Sequence, residues 1–176
     1  MSFEISLETS SDGDAVDDLV SSAFGPGREK RTVYQFRDGV DRLHSLCLAA
    51  RGKDGDLLGS LRFWPVLLPD GEVEALFGPL AVNPDLRGLG IGKSLTARGI
   101  AEARTAGFGA VLIIGDPAYY HPFGFSEEAV SGLTLPGPTA PLTFMGMELK
   151  LGRLKGLHGP VMPAKSAVQP RRSLSA

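Results

Sequence analysis

The chain has 176 residues, 43% hydrophobic and 22% charged, with a formal charge of −2 and a lone cysteine, Cys47. That balance fits one compact soluble domain able to bury a sizeable core, and the single cysteine excludes an internal disulfide. No apolar run approaches the roughly 18 residues needed to span a membrane, and the acidic, polar N-terminus does not read as a signal peptide, so a reducing cytoplasm is expected.

Phe3 to Glu8 alternates as a first strand, and Ser11 with Asp14 resembles a capping box opening a helix that runs to Phe24. Gly25-Pro26-Gly27 breaks it, and Arg28 to Arg37 reads as a second, amphipathic helix. Leu43 to Ala50 and Leu57 to Leu68 read as strands of a hairpin turned at Lys53-Asp54-Gly55-Asp56. Cys47 lies in the apolar Leu46-Cys47-Leu48, which suits a core residue better than a nucleophile. Trp64 suits a pocket wall and a sheet-face role equally. The fourth strand, Val73 to Val82, contains Pro79, which cannot donate a ladder hydrogen bond. A bulge is preferred there over a cis-proline turn.

Residues 78 to 95 are the most informative stretch: Gly-Pro-Leu-Ala-Val-Asn-Pro-Asp-Leu-Arg-Gly-Leu-Gly-Ile-Gly-Lys-Ser-Leu. A strand runs into a glycine-rich arc that opens a helix, where unpartnered N–H groups and the helix dipole favour a pyrophosphate. A Walker A loop is excluded because its first glycine would fall on Arg87. The dinucleotide fingerprint fails as well, since its last glycine would fall on Lys93. The pattern Arg/Gln-x-x-Gly-x-Gly/Ala is matched in full by Arg87-Gly88-Leu89-Gly90-Ile91-Gly92. It resembles the coenzyme A loop of the GCN5-related N-acetyltransferase (GNAT) superfamily.

The sequence downstream agrees. Ile91, Leu95, Ile100 and Ala103 can share a helix face, Gly107 ends that helix, and Ala110 to Ile114 is an apolar run suited to a buried strand. Strand, arc, helix and strand make a right-handed βαβ crossover. Asp116 and Pro117 then cap a short helix whose Tyr120-His121-Pro122-Phe123-Gly124-Phe125 resembles the superfamily's Tyr-x-x-x-Gly-Phe element. Gly78-Pro79-Leu80-Ala81-Val82 and Gly115-Asp116-Pro117-Ala118-Tyr119-Tyr120 are similar to the YhbS-like branch. Leu133 and Leu142 to Leu149 supply the last two strands.

The resemblance is sharpest over residues 73 to 126. It implies an α/β GNAT fold: a mixed, mostly antiparallel sheet of about six or seven strands, splayed between strands 4 and 5, with about four helices. It implies an acyl-CoA donor and direct transfer to an acceptor, usually an amine; the expected donor is acetyl-CoA, the acceptor a small-molecule or peptide amine, and no metal is expected. Arg28 to Arg37 falls where the superfamily often shapes the acceptor site. Donor contacts are expected from Leu80, Ala81 and Val82 on the splayed strand, from Arg87 through Gly92 and on to Lys93 and Ser94, and from Tyr120.

Aminolysis of a thioester builds an oxyanion and expels a thiolate. The N–H of Leu80 or a neighbour is the candidate oxyanion donor. Tyr120 resembles the tyrosine that reaches the sulfur, although Tyr119 beside it is open to either role. Glu74, with Glu72 two residues before it, is the candidate base acting through water. His44, His121 and His158 have no metal-ligand spacing, and His121 reads as an ordinary surface residue.

From Lys150 onward there are six basic residues and no acidic ones, leaving 12 basic and 20 acidic in the preceding part. Residues 1–151 are expected to form the catalytic domain and 152–176 a solvated Gly/Pro/Ser-rich tail. Without interleaved aromatics the tail does not suggest nucleic acid, and no membrane partner is expected. Alternatives to acetyl transfer are a longer acyl-CoA or acyl carrier protein donor, and a non-catalytic acyl-CoA binding module. A homodimer is compatible with the sequence.

Overall fold

Twelve regular segments emerge from these patterns in a computed structural model that describes residues 2–165. In chain order they are β1 (Glu4–Leu7), α1 (Gly13–Phe24), β2 (Leu48–Arg51), β3 (Leu57–Leu67), β4 (Val73–Val82), α2 (Ile91–Thr105), β5 (Ala110–Gly115) and α3 (Pro117–Tyr120). They continue with β6 (Leu133–Thr134), β7 (Thr143–Glu148), β8 (Gly159–Pro160) and β9 (Met162–Pro163).

The main sheet runs β1-β2-β3-β4-β5-β7, with β9 beside the far half of β3. Within this sheet the β4–β5 pair alone is parallel among the described residues, because α2 carries the chain across between them. On one sheet face Leu61, Phe63, Ala75, Phe77 and Val111 pack with Ile91 and Leu95 of α2. The opposite face gathers Val66, Leu76, Leu112, Phe36, Leu154 and Val161. Helix α1 rests on Ala81 through Val16 and Val20. Among the described residues no helix is long and apolar enough to cross a membrane.

Four expectations need correction. The Arg28–Arg37 segment is not an α-helix: extended backbone at Arg31 divides it into two 3-10 turns, Arg28–Lys30 and Thr32–Phe36. Buried Phe36 and the hydrogen bond from Thr32 Oγ1 to the Pro138 carbonyl (2.6 Å) tie it to the body. The strand expected from Leu43 begins at Leu48, since His44–Leu46 forms a 3-10 turn. At α1 the box closes two residues earlier, with the Asp12 carboxylate accepting the Thr9 N–H at 2.7 Å. β6 leaves the main sheet and pairs with β8.

The boundary at residue 151 also moves. Leu154, Val161 and Ala164 are buried, and β9 pairs with Val66 and Leu67 of β3. Three buried apolar residues in so short a segment are enough to dock it, although its composition is tail-like. The body therefore reaches residue 165, and the remainder of the expected tail lies outside the described residues.

Because Leu154 is 4% exposed, Leu154→Ala should cost about 2–5 kcal/mol, read as a lower urea midpoint with an unchanged slope. A midpoint equal to wild type would place residues 152–165 off the body.

Candidate active site

Strands β4 and β5 pair at only two positions, Ala75 with Val111 and Leu76 with Leu112, and part beyond them. The cause lies in β4. Between the pairs Leu61–Leu80 and Phe63–Phe77, β4 uses one residue more than β3, a bulge at Gly78-Pro79. The Gly78–Pro79 peptide bond is also cis, so the bulge and the cis-proline weighed as rivals occur together. The parted strands open a cleft of about 710 Å³ lined by Phe77, Pro79 and Leu80 on one side and Ile113, Ile114 and Gly115 on the other.

The glycine arc closes one end of this cleft. Gly88 and Gly90 both adopt φ of 83°, a left-handed conformation that side chains strain to reach. Gly90 caps α2 with no side-chain hydrogen bond, and the first amide bonded back into the helix is Ser94 N–H to the Gly90 carbonyl at 3.0 Å. The N–H groups of residues 91–93 are thus without helical partners at the positive end of a 15-residue helix. Arg87 and Lys93 flank them and line the cleft. At Gly92 a Cβ would stand 3.0 Å from the Tyr119 hydroxyl and 3.8 Å from Leu80, so the arc lies against both walls. Backbone donors, two cations and close backbone access fit a pyrophosphate.

Helix α3 supplies the tyrosines because the Asp116 carboxylate accepts the Ala118 N–H at 3.0 Å and Pro117 follows it. Tyr120 packs edge-on against Phe77, Phe125 and Tyr119, and its ring would meet a Cβ on Gly115 at 2.6 Å. Burial, with Tyr119 and Asp116 nearby, pushes its phenol pKa up, so Tyr120 is neutral and holds its proton near pH 7.

A family model described as the acetyltransferase (GNAT) family matches residues 13–125. The chain belongs to the GNAT acetyltransferase family. It is 30% identical over 156 residues to YhbS, an uncharacterized N-acetyltransferase of Escherichia coli strain K12, across 88% of this chain and 92% of that protein. The crystal structure of E. coli YhbS in complex with CoA superposes with a TM-score of 0.75 at 30% identity, covering 92% of this chain and 89% of that one. A GNAT acetyltransferase from Brucella melitensis in complex with acetyl-CoA gives 0.62 at 27% identity, over 84% and 88% of the two chains. The chain is an N-acetyltransferase of this family, with the mixed, β4–β5-splayed sheet of the GNAT fold.

Of the residues singled out in the sequence, the structure gathers Leu80, Val82, Arg87, Gly88, Gly90, Ile91, Gly92, Lys93 and Tyr120 around the cleft. Three lie elsewhere. Ala81 is fully buried against α1, Leu89 points outward at 53% exposure, and Ser94 sits off the lining.

Glu74 requires a correction. Its buried carboxylate accepts the N–H groups of Gly109 (2.9 Å) and Ala110 (3.0 Å) and pairs with Arg153. It ties β4 to the start of β5 and does not line the cleft, so it is not placed to take a proton from an acceptor amine. Glu72 is exposed ahead of the strand. Cys47 is a core residue whose thiol is pushed up to about 11, chiefly by burial. His121 is exposed and bonded to Glu127 at 2.9 Å. No group of three metal-ligating side chains occurs among the described residues.

The other end of the cleft is formed by Phe24, Arg28, Arg31, Val33, Tyr34 and Arg37, mostly in the segment the resemblance pointed to for the acceptor, although no side chain there was singled out. The signal was present: four cations, Arg28, Lys30, Arg31 and Arg37, in a part of the chain where acids outnumber bases. The amphipathic-helix reading could not say which of them face the cleft, because the segment is not an α-helix.

Two substitutions separate ligand binding from fold. Gly92→Val should fill the space between the arc and Tyr119 and weaken acetyl-CoA binding at least about tenfold, roughly 1.4 kcal/mol by calorimetry, in a folded protein. Glu74→Gln breaks a buried ion pair, and should lower stability by about 3–5 kcal/mol while acetyl-CoA affinity stays within about twofold. An unchanged melting temperature would contradict the role of Glu74 as a tie.

Proposed function

We propose that the protein transfers an acetyl group from acetyl-CoA directly to an acceptor amine. The observation that carries this reading is one continuous cleft joining a pyrophosphate-suited helix end to a strand splayed next to its bulge. CoA and acetyl-CoA in the YhbS and Brucella structures support the choice of donor.

In this reading the amides of residues 91–93, with Arg87 and Lys93, hold the pyrophosphate, and β4 from Leu80 to Val82 lies along the pantetheine arm. A neutral amine attacks the acyl carbon from the Arg37 side, and the oxyanion that forms is met by the N–H of Leu80. A backbone donor fixed in a strand needs no reorientation as charge develops, the arrangement that makes such sites effective. Tyr120 donates to the departing sulfur. A thiol has a pKa near roughly 8.5 and leaves readily, so a phenol that stays protonated is a sufficient hydrogen-bond donor. The Tyr119 hydroxyl, beside Gly92, lines the donor arm instead.

Intact-mass and product analysis after incubation with acetyl-CoA and an amine library tests the transfer. With an acceptor in hand, Tyr120→Phe should leave acetyl-CoA affinity nearly unchanged and lower kcat about ten- to a hundredfold. Tyr119→Phe should act mainly on donor affinity. A larger kcat loss in Tyr119→Phe would exchange the two roles.

A further inference from the structure

A second cavity of about 690 Å³ adjoins the cleft, and the two share Val20, Arg28, Tyr34, Arg37 and Pro79 in their walls. It shares no residue of the glycine arc, so it extends the cleft on the side away from the pyrophosphate end. Its cations are unevenly satisfied. Arg62 pairs with Glu8 at 2.6 Å and Asp17 at 2.7 Å, and Arg42 reaches Glu8 at 3.1 Å. Arg28 donates to the Tyr34 hydroxyl (2.7 Å) and to Ser21 (2.6 Å), with Glu29 at 3.8 Å.

Arg37 differs. Its guanidinium lies 5.3 Å over the Tyr34 ring and forms no ion pair among the described residues. Burial draws its pKa down to about 10, far enough above neutrality that it stays charged. A half-buried cation without a carboxylate is costly unless something else supplies the acceptors. Two more buried donors on residues of this cavity, Arg42 Nε and Trp64 Nε1, lack hydrogen-bond partners, as does Arg37 Nε itself. Each is a donor, so the shared deficit is of oxygen acceptors.

Position makes the deficit functional. Arg37 Nη2 lies 3.5 Å from where a Cβ on Gly78 would stand, at the bulge two residues before Leu80. The three carboxylates that line the second cavity are occupied or at the rim: Asp17 is held by Arg62, while Glu29, near Arg28, and Asp38 are exposed. A polycationic amine would meet Arg28, Arg31 and Arg37 there, like charges in a partly desolvated site.

We propose, resting on the acetyl-transfer reading above, that the acceptor is an amine carrying an oxyanion, which Arg37 grips in the second cavity while the amine faces the acyl carbon. A planar guanidinium gives two parallel hydrogen bonds to a carboxylate or phosphate, orienting the amine as well as binding it.

The test uses the whole protein saturated with acetyl-CoA or CoA and four probes: 6-aminohexanoate, 2-aminoethyl phosphate, hexylamine and spermidine. Transfer is followed by product mass. Binding is followed separately through Trp64, the single tryptophan of the chain, which lines this cavity. An oxyanion probe should change Trp64 fluorescence saturably and be acetylated with at least about tenfold higher kcat/KM than hexylamine or spermidine. Preference between the first two probes distinguishes carboxylate from phosphate.

In Arg37→Gln that advantage should collapse to within about twofold, with acetyl-CoA affinity kept; Arg37→Lys should restore only part of it, since an ammonium lacks the fork. Fluorescence binding of an oxyanion probe without transfer would uphold the subsite and reject acetyl transfer to it. Equal or better use of hexylamine or spermidine by the wild type would overturn the proposal. So would a tenfold loss of acetyl-CoA affinity in Arg37→Gln, which would assign Arg37 to the donor.

Discussion

The structure turns on how β4 and β5 are joined. They are tied at one end by the Glu74 carboxylate, which accepts two β5-side amides and the Arg153 guanidinium, and they are forced apart at the other by the Gly78-Pro79 bulge. Only two residue pairs of parallel sheet lie between the tie and the opening. A sheet that zipped fully would have no cleft, and the tie adds to the packing on both faces that holds the two strands together. The join is therefore held in part by a side chain that does not line the cleft.

The features legible in the sequence share a physical trait: they are local. The arc from Arg87 to Gly92, the Asp116-Pro117 cap and the continuous strand β5 each follow from neighbours a few residues apart, and they stand where periodicity placed them. Features governed by distant partners were illegible. Glu74 reads as an exposed alternate residue until Gly109, Ala110 and Arg153 are brought to it from 35 to 79 residues away. Arg28–Arg37 has helical spacing, yet Phe36 and Thr32 are claimed by the body, and anchoring wins over propensity. Leu154 and Val161 could not be weighed without the face of β3 and β5 that they cover.

Charge is distributed along the cleft with some order. One end offers backbone amides and flexible cations at the rim, Arg87 and Lys93, suited to a mobile, hydrated pyrophosphate. The other offers guanidiniums fixed by Tyr34 and Ser21, suited to a small group held at one angle. Between them lie apolar walls from Phe77, Leu80 and Ile113, where a thioester and a neutral amine can meet with little water. The acidic part of the chain thus encloses a basic channel, and the field within it favours ligands of one sign.

The docking of residues 152–165 has a consequence for biosynthesis. Arg153 is made 79 residues after Glu74, and the strand that covers Val66 and Leu67 comes later still. While the ribosome is translating the βαβ crossover, the emerging sheet holds a carboxylate without its cation and an open stretch of β3 backbone. Unpaired strand edges of this kind invite pairing with other chains. By sequence order alone, the Arg153 contact and the β9 edge form only after every other strand of the main sheet has been made.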